Sequence, residues 1–181
     1  DLTLNLSGGK KVDVWAARIS YVGESGWEIY FNNNKDDGLA LYDSLLEVGV
    51  VPVGIETYAN SRRLEKSFRL QGADLETEYT AIEAAIQRPL VKEADFHGKA
   101  AHLSHREEDP CAILCTMTLD DLNVSGKTRY PVGISPIIDP ATSEVPIDSK
   151  GRRSYTTGMS YCPSLKKFVV MGYLPKEIAI Q

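Results

Sequence analysis

The sequence predicts an α+β fold in two parts, a mixed α+β region over residues 1–107 and a small antiparallel β unit, barrel or sandwich, over residues 108–181. Three observations predict it. Two alternating β-like runs meet at a Gly-rich turn between Val12 and Asn32. Apolar residues at helical spacing follow, from Leu39 to Leu46. From Cys111 onward, short β-rich runs alternate with Gly, Pro, Asn and Asp turns. The polar, acidic stretch Ser104–Pro110 is the natural boundary.

The elements follow in order. Val12–Val22 and Trp27–Asn32 read as a β-hairpin closed by a tight turn at Gly23, Glu24, Ser25 and Gly26. Past the turn, Trp27, Ile29 and Phe31 fall on one face, which makes Trp27 a core residue, while Glu28 and Tyr30 fall on the other. Asp36 or Asp37 caps a helix carrying Leu39, Tyr42, Leu45 and Leu46, and Gly49 stops it. Val50-Val51-Pro52-Val53-Gly54 breaks the pattern, and a second helix runs from Ile55 to about Lys66. Thr80 with Glu83 makes a capping-box pattern. Asp95-Phe96-His97-Gly98 introduces a short polar helix ending near Pro110. The β-rich runs are Ala112–Leu119, Val132–Ile138, Thr156–Tyr161 and Phe168–Leu174.

Composition narrows the function classes. The 181 residues are 43% hydrophobic and 25% charged, with a net charge of −5, so there is no broad cationic surface and nucleic acid is not an expected partner. No apolar run approaches the ~20 residues that span a bilayer, so no membrane role is expected. The start at Asp1, without Met or a leader pattern, reads as a fragment of a longer protein. The three cysteines are an odd number. Cys111 and Cys115, on one strand face, would lie roughly 13 Å apart, beyond the ~7 Å reach of a disulfide. Free thiols in a reducing compartment are expected, cytoplasmic or, in a eukaryote, the mitochondrial matrix. Ser125-Gly126-Lys127-Thr128 imitates the tail of a phosphate-binding loop, but its leading glycine would fall at Asp121, which excludes it. His97, His102 and His105 read as a solvated helix face, and no metal site is expected.

Glu28 carries the chemistry. A carboxylate held on a rigid strand beside aromatics accepts two hydrogen bonds from the edge of a planar heterocycle. The run Arg18-Ile19-Ser20-Tyr21-Val22-Gly23-Glu24-Ser25-Gly26-Trp27-Glu28-Ile29 resembles the R-x-x-Y-x-G-E-x-G-x-E-[IL] signature of the glycine cleavage T-protein (aminomethyltransferase) family. Its wording is similar to the dimethylglycine and sarcosine dehydrogenase branch. Further pieces follow in the family's order: Ser61-Arg62-Arg63-Leu64-Glu65-Lys66, Gly72-Ala73-Asp74-Leu75, Thr80-Ala81-Ile82-Glu83-Ala84, Asp95-Phe96-His97-Gly98-Lys99, Gly158–Leu165 and Met171-Gly172-Tyr173-Leu174.

The resemblance implies the family's middle α+β region followed by a C-terminal antiparallel β-barrel, with the N-terminal folate half lacking a counterpart. It implies tetrahydrofolate as cofactor and a small amine or lipoyl-linked donor, the parent protein moving a one-carbon unit from that amine to folate. Glu28 stands where family members hold the pterin ring, and Tyr21 where an aromatic packs near it. Glu24 and Tyr58 are the minor folate-binding candidates, Tyr58 standing near the place of a missing family arginine. Other readings stay open: a solvated Glu28, a core Tyr21, a turn-tip Glu24 and a helix-packing Tyr58. Arg62, Arg63 and Lys66 either steer the glutamyl tail of folate or pair with Glu65 and water. The family's catalytic aspartate has no match, so no catalytic residue is assigned, and the chain alone is expected to be inactive. The alternatives are a non-catalytic folate-binding or regulatory module, and a structural fragment that forms a homodimer through its exposed truncated surface. The iron–sulfur maintenance relatives carry a K-G-C-x-x-G-Q motif; the corresponding Lys66–Gly72 stretch holds no cysteine.

Overall fold

The computed structural model describes the whole chain except positions 33, 125, 129, 131, 180 and 181. The phosphate-loop look-alike therefore lies partly outside the described residues, at Ser125. The chain divides into two compact units, Asp1–Arg62 and Arg63–Gln181. The boundary expected after residue 107 falls inside the second unit, because Leu64, Tyr79 and Ala84 share one core with Ala112, Leu114 and Tyr173.

The first unit is a three-stranded antiparallel sheet in the order β1 (Leu2–Asn5), β2 (Lys11–Ala17), β3 (Glu28–Phe31), followed by helix α1 (Lys35–Glu47). Alternation sorts its side chains. Val12 and Val14 bury against Leu6 and Leu41, with Leu4, Ile29, Ala40 and Leu45 packed on this core, so α1 covers the face carrying Val12, Val14 and Ile29. Trp15 and Tyr30, opposite each other in the ladder, share the other face with Glu28.

The hairpin was expected to be longer and tighter. Instead β2 stops at Ala17, whose carbonyl accepts the Ile19 N–H at 3.0 Å in a turn that takes the chain out of the ladder. The segment 18–27 loops out, and Gly26 lies so close to it that a Cβ would stand 2.9 Å from the Ile19 carbonyl. Trp27 consequently falls before β3 and is 62% exposed, not core. The cap of α1 also falls two or three residues earlier than expected: Asn34 Oδ1 accepts the Asp36 N–H at 3.0 Å, and Asp36 and Asp37 occupy the first turn. Gly49, at φ 89°, ends the helix as expected, with Gly49 N–H bonded to Leu46 O and Val50 N–H to Leu45 O. The predicted second helix exists, but Glu56–Arg62 is π-helical.

In the second unit a short α2 (Arg63–Glu65) leads through turns to α3 (Lys99–Glu107), which confirms the polar helix. The capping box forms as predicted: Glu83 Oε2 accepts the Thr80 N–H at 2.9 Å and Thr80 Oγ1 accepts the Glu83 N–H at 3.2 Å. It opens a single helical turn, closed at Ala85 (φ 53°) by an Ile86 N–H to Ala81 O bond. Strand β4 (Ala112–Leu119) keeps its predicted bounds, followed by the two-stranded ribbon β5 (Asn123–Val124) and β6 (Lys127–Thr128) and by β7 (Thr156–Cys162) and β8 (Lys167–Pro175). A final turn of helix, α4, spans Lys176–Ala179. The main sheet runs β4-β8-β7, all antiparallel, and β8 is buried along its centre. The predicted run Val132–Ile138 makes no ladder strand; Pro136 has no N–H to donate, and it contributes one isolated bridge to Tyr155. Among the described residues these strands do not close into a barrel. All three cysteines are free thiols. No helix of the described residues is long and apolar enough to cross a membrane.

Candidate functional site

Glu28 opens β3 on the sheet face away from α1, half-buried at the mouth of the 18–27 loop. Two residues on, and so on the same face, Tyr30 donates its hydroxyl to Glu28 Oε2. The Tyr30 ring lies 4.9 Å from the ring of Trp15 on the neighbouring strand. Both aromatics are half exposed, Trp15 at 53% and Tyr30 at 48%. An open groove of about 610 Å³ crosses the three strands on the far side of Tyr30, lined on this face by Thr3, Asp13, Trp15 and Tyr30 and not by Glu28. Asp13 is steadied by the Thr3 hydroxyl, which donates to its Oδ1 at 2.6 Å. The hydrogen bond to Glu28, with a smaller contribution from burial and from the charges of Glu28 and Tyr58, pushes the Tyr30 phenol above its ordinary value.

The other candidates come from the loop and the π-helix. The Tyr21 ring stands 5.8 Å from that of Tyr58, tilted by 48°. Tyr58 is exposed, as its place on a single π-helical stretch allows; such stretches cluster at functional sites. Contacts thus form two pairs, Glu28 with Tyr30 by a hydrogen bond and Tyr58 with Tyr21 through their rings. Glu24 takes a different partner: its carboxylate faces Arg62 at 3.7 Å, in an exposed pair of the kind worth about 0–1 kcal/mol.

Several family-like motifs turn out to build the fold. Arg63 and Asp74 are both buried and ion-paired, and Asp74 also accepts the Leu70 N–H at 2.9 Å and the Thr157 hydroxyl. The Tyr173 hydroxyl donates to the Asp74 carbonyl at 2.7 Å, and a Cβ on Gly158 would stand 2.7 Å from Arg63 Nη2. Arg63 is therefore not a surface cation that steers an anionic tail. Glu65 accepts the Ser164 N–H at 2.9 Å. Glu83 is buried as well; burial pushes its carboxyl up, but the Arg152 hydrogen bond and charge and the Thr80 N–H outweigh that and hold it at about 2. Among the described residues no group of three or more His, Cys, Asp or Glu side chains is placed to hold a metal ion.

Comparison with known proteins places these motifs. Residues 6–93 match the family model described as the GCVT N-terminal domain. The chain is 31% identical to mitochondrial dimethylglycine dehydrogenase from Homo sapiens, over 93% of this chain and 18% of that protein. It is 30% identical to the aminomethyltransferase of Francisella philomiragia, over 89% of this chain and 41% of that protein. The chain belongs to the glycine cleavage T-protein family. Against the crystal structure of glycine cleavage system aminomethyltransferase T from Bartonella henselae the TM-score is 0.67 at 28% identity, covering 90% of this chain and 42% of that one. The chain spans less than half the length of these T-protein relatives. Within the T-protein signature, alternation had already set Tyr30 beside Glu28, but nothing in the sequence marked its hydroxyl as the partner of that carboxylate. Trp15 went unnoticed because its neighbour across the ladder is fixed by register alone.

Proposed function

We propose that this chain serves folate-dependent aminomethyl transfer, with Glu28 holding the edge of the pteridine ring and Tyr21 and Tyr58 beside it. The observation that carries this reading is the placement of Glu28 on a sheet face that α1 leaves open, bonded to Tyr30 and sharing that face with the half-exposed rings of Trp15 and Tyr30. A carboxylate has about four lone-pair positions, and the Tyr30 hydroxyl takes one on Oε2. The remaining acceptor positions therefore suit the adjacent N–H groups of a pteridine, while the aromatic faces suit its plane. When bound, tetrahydrofolate supplies the nitrogens that accept the one-carbon unit. The chain's own residues bind and orient it, and positioning is a large lever on such a transfer.

In this reading residues 1–107 form the folate-facing region and residues 108–181 the C-terminal domain, a barrel in the family pattern. The donor is a small amine or a lipoyl-linked aminomethyl group. Glu24 is a secondary candidate, reached only if its contact with Arg62 opens. Titration of tetrahydrofolate by calorimetry into the wild type and Glu28→Ala tests the assignment. Loss of the charge-assisted fork weakens binding at least tenfold; equal affinities would remove Glu28 from the site. The alternative is folate binding without transfer, and a bound folate that stays unmodified with an amine donor present would select it.

A further inference from the structure

We infer that Tyr30 is a positioning residue for Glu28: its hydroxyl fixes the plane of the carboxylate so that the remaining lone pairs face a planar ligand. The inference rests on the reading of Glu28 as the pteridine-holding group. A glutamate has three torsions, and the last, an sp³–sp² rotation, has a broad minimum. Left to itself, the fork samples many planes, and a ligand with two adjacent donors must select one.

The hydroxyl that settles the plane is itself positioned by the sheet. Tyr30 has two side-chain torsions, its Cα sits opposite that of Trp15 in the ladder, and its ring rests against the indole at 4.9 Å. The bond to Glu28 Oε2 runs along one face of β3 between residues i and i+2. A rigid tyrosine thereby orients a flexible glutamate, and the ordering is complete before a ligand arrives. Groups preorganised in this way bind better because the ordering cost of about one rotamer-rich side chain is removed from association.

The experiment is a double-mutant cycle on the chain, with tetrahydrofolate as the probe: wild type, Tyr30→Phe, Glu28→Gln and the double variant. Tyr30→Phe keeps the ring on Trp15 and deletes only the hydroxyl, so a packing role would leave its affinity unchanged. The expected result is a loss of roughly three- to tenfold in affinity for Tyr30→Phe, and no further loss when it is added to Glu28→Gln. Without ligand, the Tyr30 phenol, followed by ¹³Cζ resonance, titrates at lower pH in Glu28→Gln than in the wild type. Unchanged affinity in Tyr30→Phe, an equal loss in both backgrounds, or an unmoved phenol titration would overturn the positioning role. If Glu28→Gln alone binds as the wild type does, the site assignment itself falls, a result distinct from the other three.

Discussion

Replacing Arg152 by Met should cost the second unit more than any exposed ion pair is worth, and should reverse part of its pH dependence. Arg152 donates Nη2 to Glu83 Oε1 at 2.5 Å, Nε to Asp148 Oδ2 at 2.7 Å and Nη1 to the Glu78 carbonyl at 2.7 Å. Its guanidinium also lies 4.3 Å from the centre of the Tyr79 ring. Glu83 is 1% exposed, so the variant strands a carboxylate away from water. Breaking a buried pair from one side costs about 3–5 kcal/mol. In the wild type, the Glu83 carboxyl is depressed from 4.5 to about 2. A depressed folded value stabilises fully above the unfolded value and loses that contribution as pH falls from 4.5 to about 2, on the order of 3 kcal/mol. Without Arg152 the desolvation that pushes Glu83 up has no opposing cation, so its folded value rises above the unfolded one. Acidification then stabilises the variant relative to pH 7, because the buried group takes up a proton. The gap between the two proteins is thus widest at pH 7 and narrows toward pH 4.5. Urea unfolding should be followed by tyrosine near-UV circular dichroism, since Tyr79 and Tyr173 stack at 3.5 Å in this unit while Trp15 and Trp27 both belong to the other. Adding Glu83→Gln to Arg152→Met should recover part of the loss. A gap under about 1 kcal/mol at pH 7, the range of a surface pair, or one that stays constant with pH, would refute the reasoning.

Two further substitutions probe the same unit. Gly172→Ala places a Cβ 2.6 Å from the Tyr155 carbonyl and 2.9 Å from Ile137 Cδ1; because the first neighbour is backbone, the denaturation midpoint should fall by an amount equivalent to about 1–3 kcal/mol. Thr80→Ala removes the hydroxyl that accepts the Glu83 N–H at 3.2 Å; a loss of about 1 kcal/mol in urea unfolding is expected, and an unchanged midpoint would mean that the capping box contributes nothing to this turn.

What could be seen in the sequence was local. Alternation placed Ile29 and Phe31 against Glu28 and Tyr30 on opposite faces, because a strand's period of two does not depend on its partners. The Thr80–Glu83 box, the Gly49 stop and the bounds of β4 were likewise set by neighbours a few residues away. What failed was set at a distance or by competition. Asn34 captured the cap from Asp36 and Asp37, all being good cap residues. Trp27 left the core because the 18–27 loop took residues that a tight turn would have kept in the ladder. Arg63 looked like a surface cation on a helix, and only the fold supplies Asp74 and Met171 around it. Arg152, 69 positions from Glu83, carried no signal at all.

The same difference separates motifs that make a fold from those fit to hold a ligand. A group reserved for a ligand must keep hydrogen-bonding capacity after folding; a structural group spends it inside the protein. Asp74, in the Gly72–Leu75 motif, takes Arg63, the Leu70 N–H and the Thr157 hydroxyl, and is 0% exposed. Glu83 takes Thr80 and Arg152 and is closed in as well. Glu28 instead accepts one tyrosine hydroxyl, from a ring that is itself half exposed, on the sheet face opposite the one that α1 covers. A carboxylate in a family-like motif is ambiguous until its donors are counted, and by that count position 28 is the one of these three that has room for a ligand.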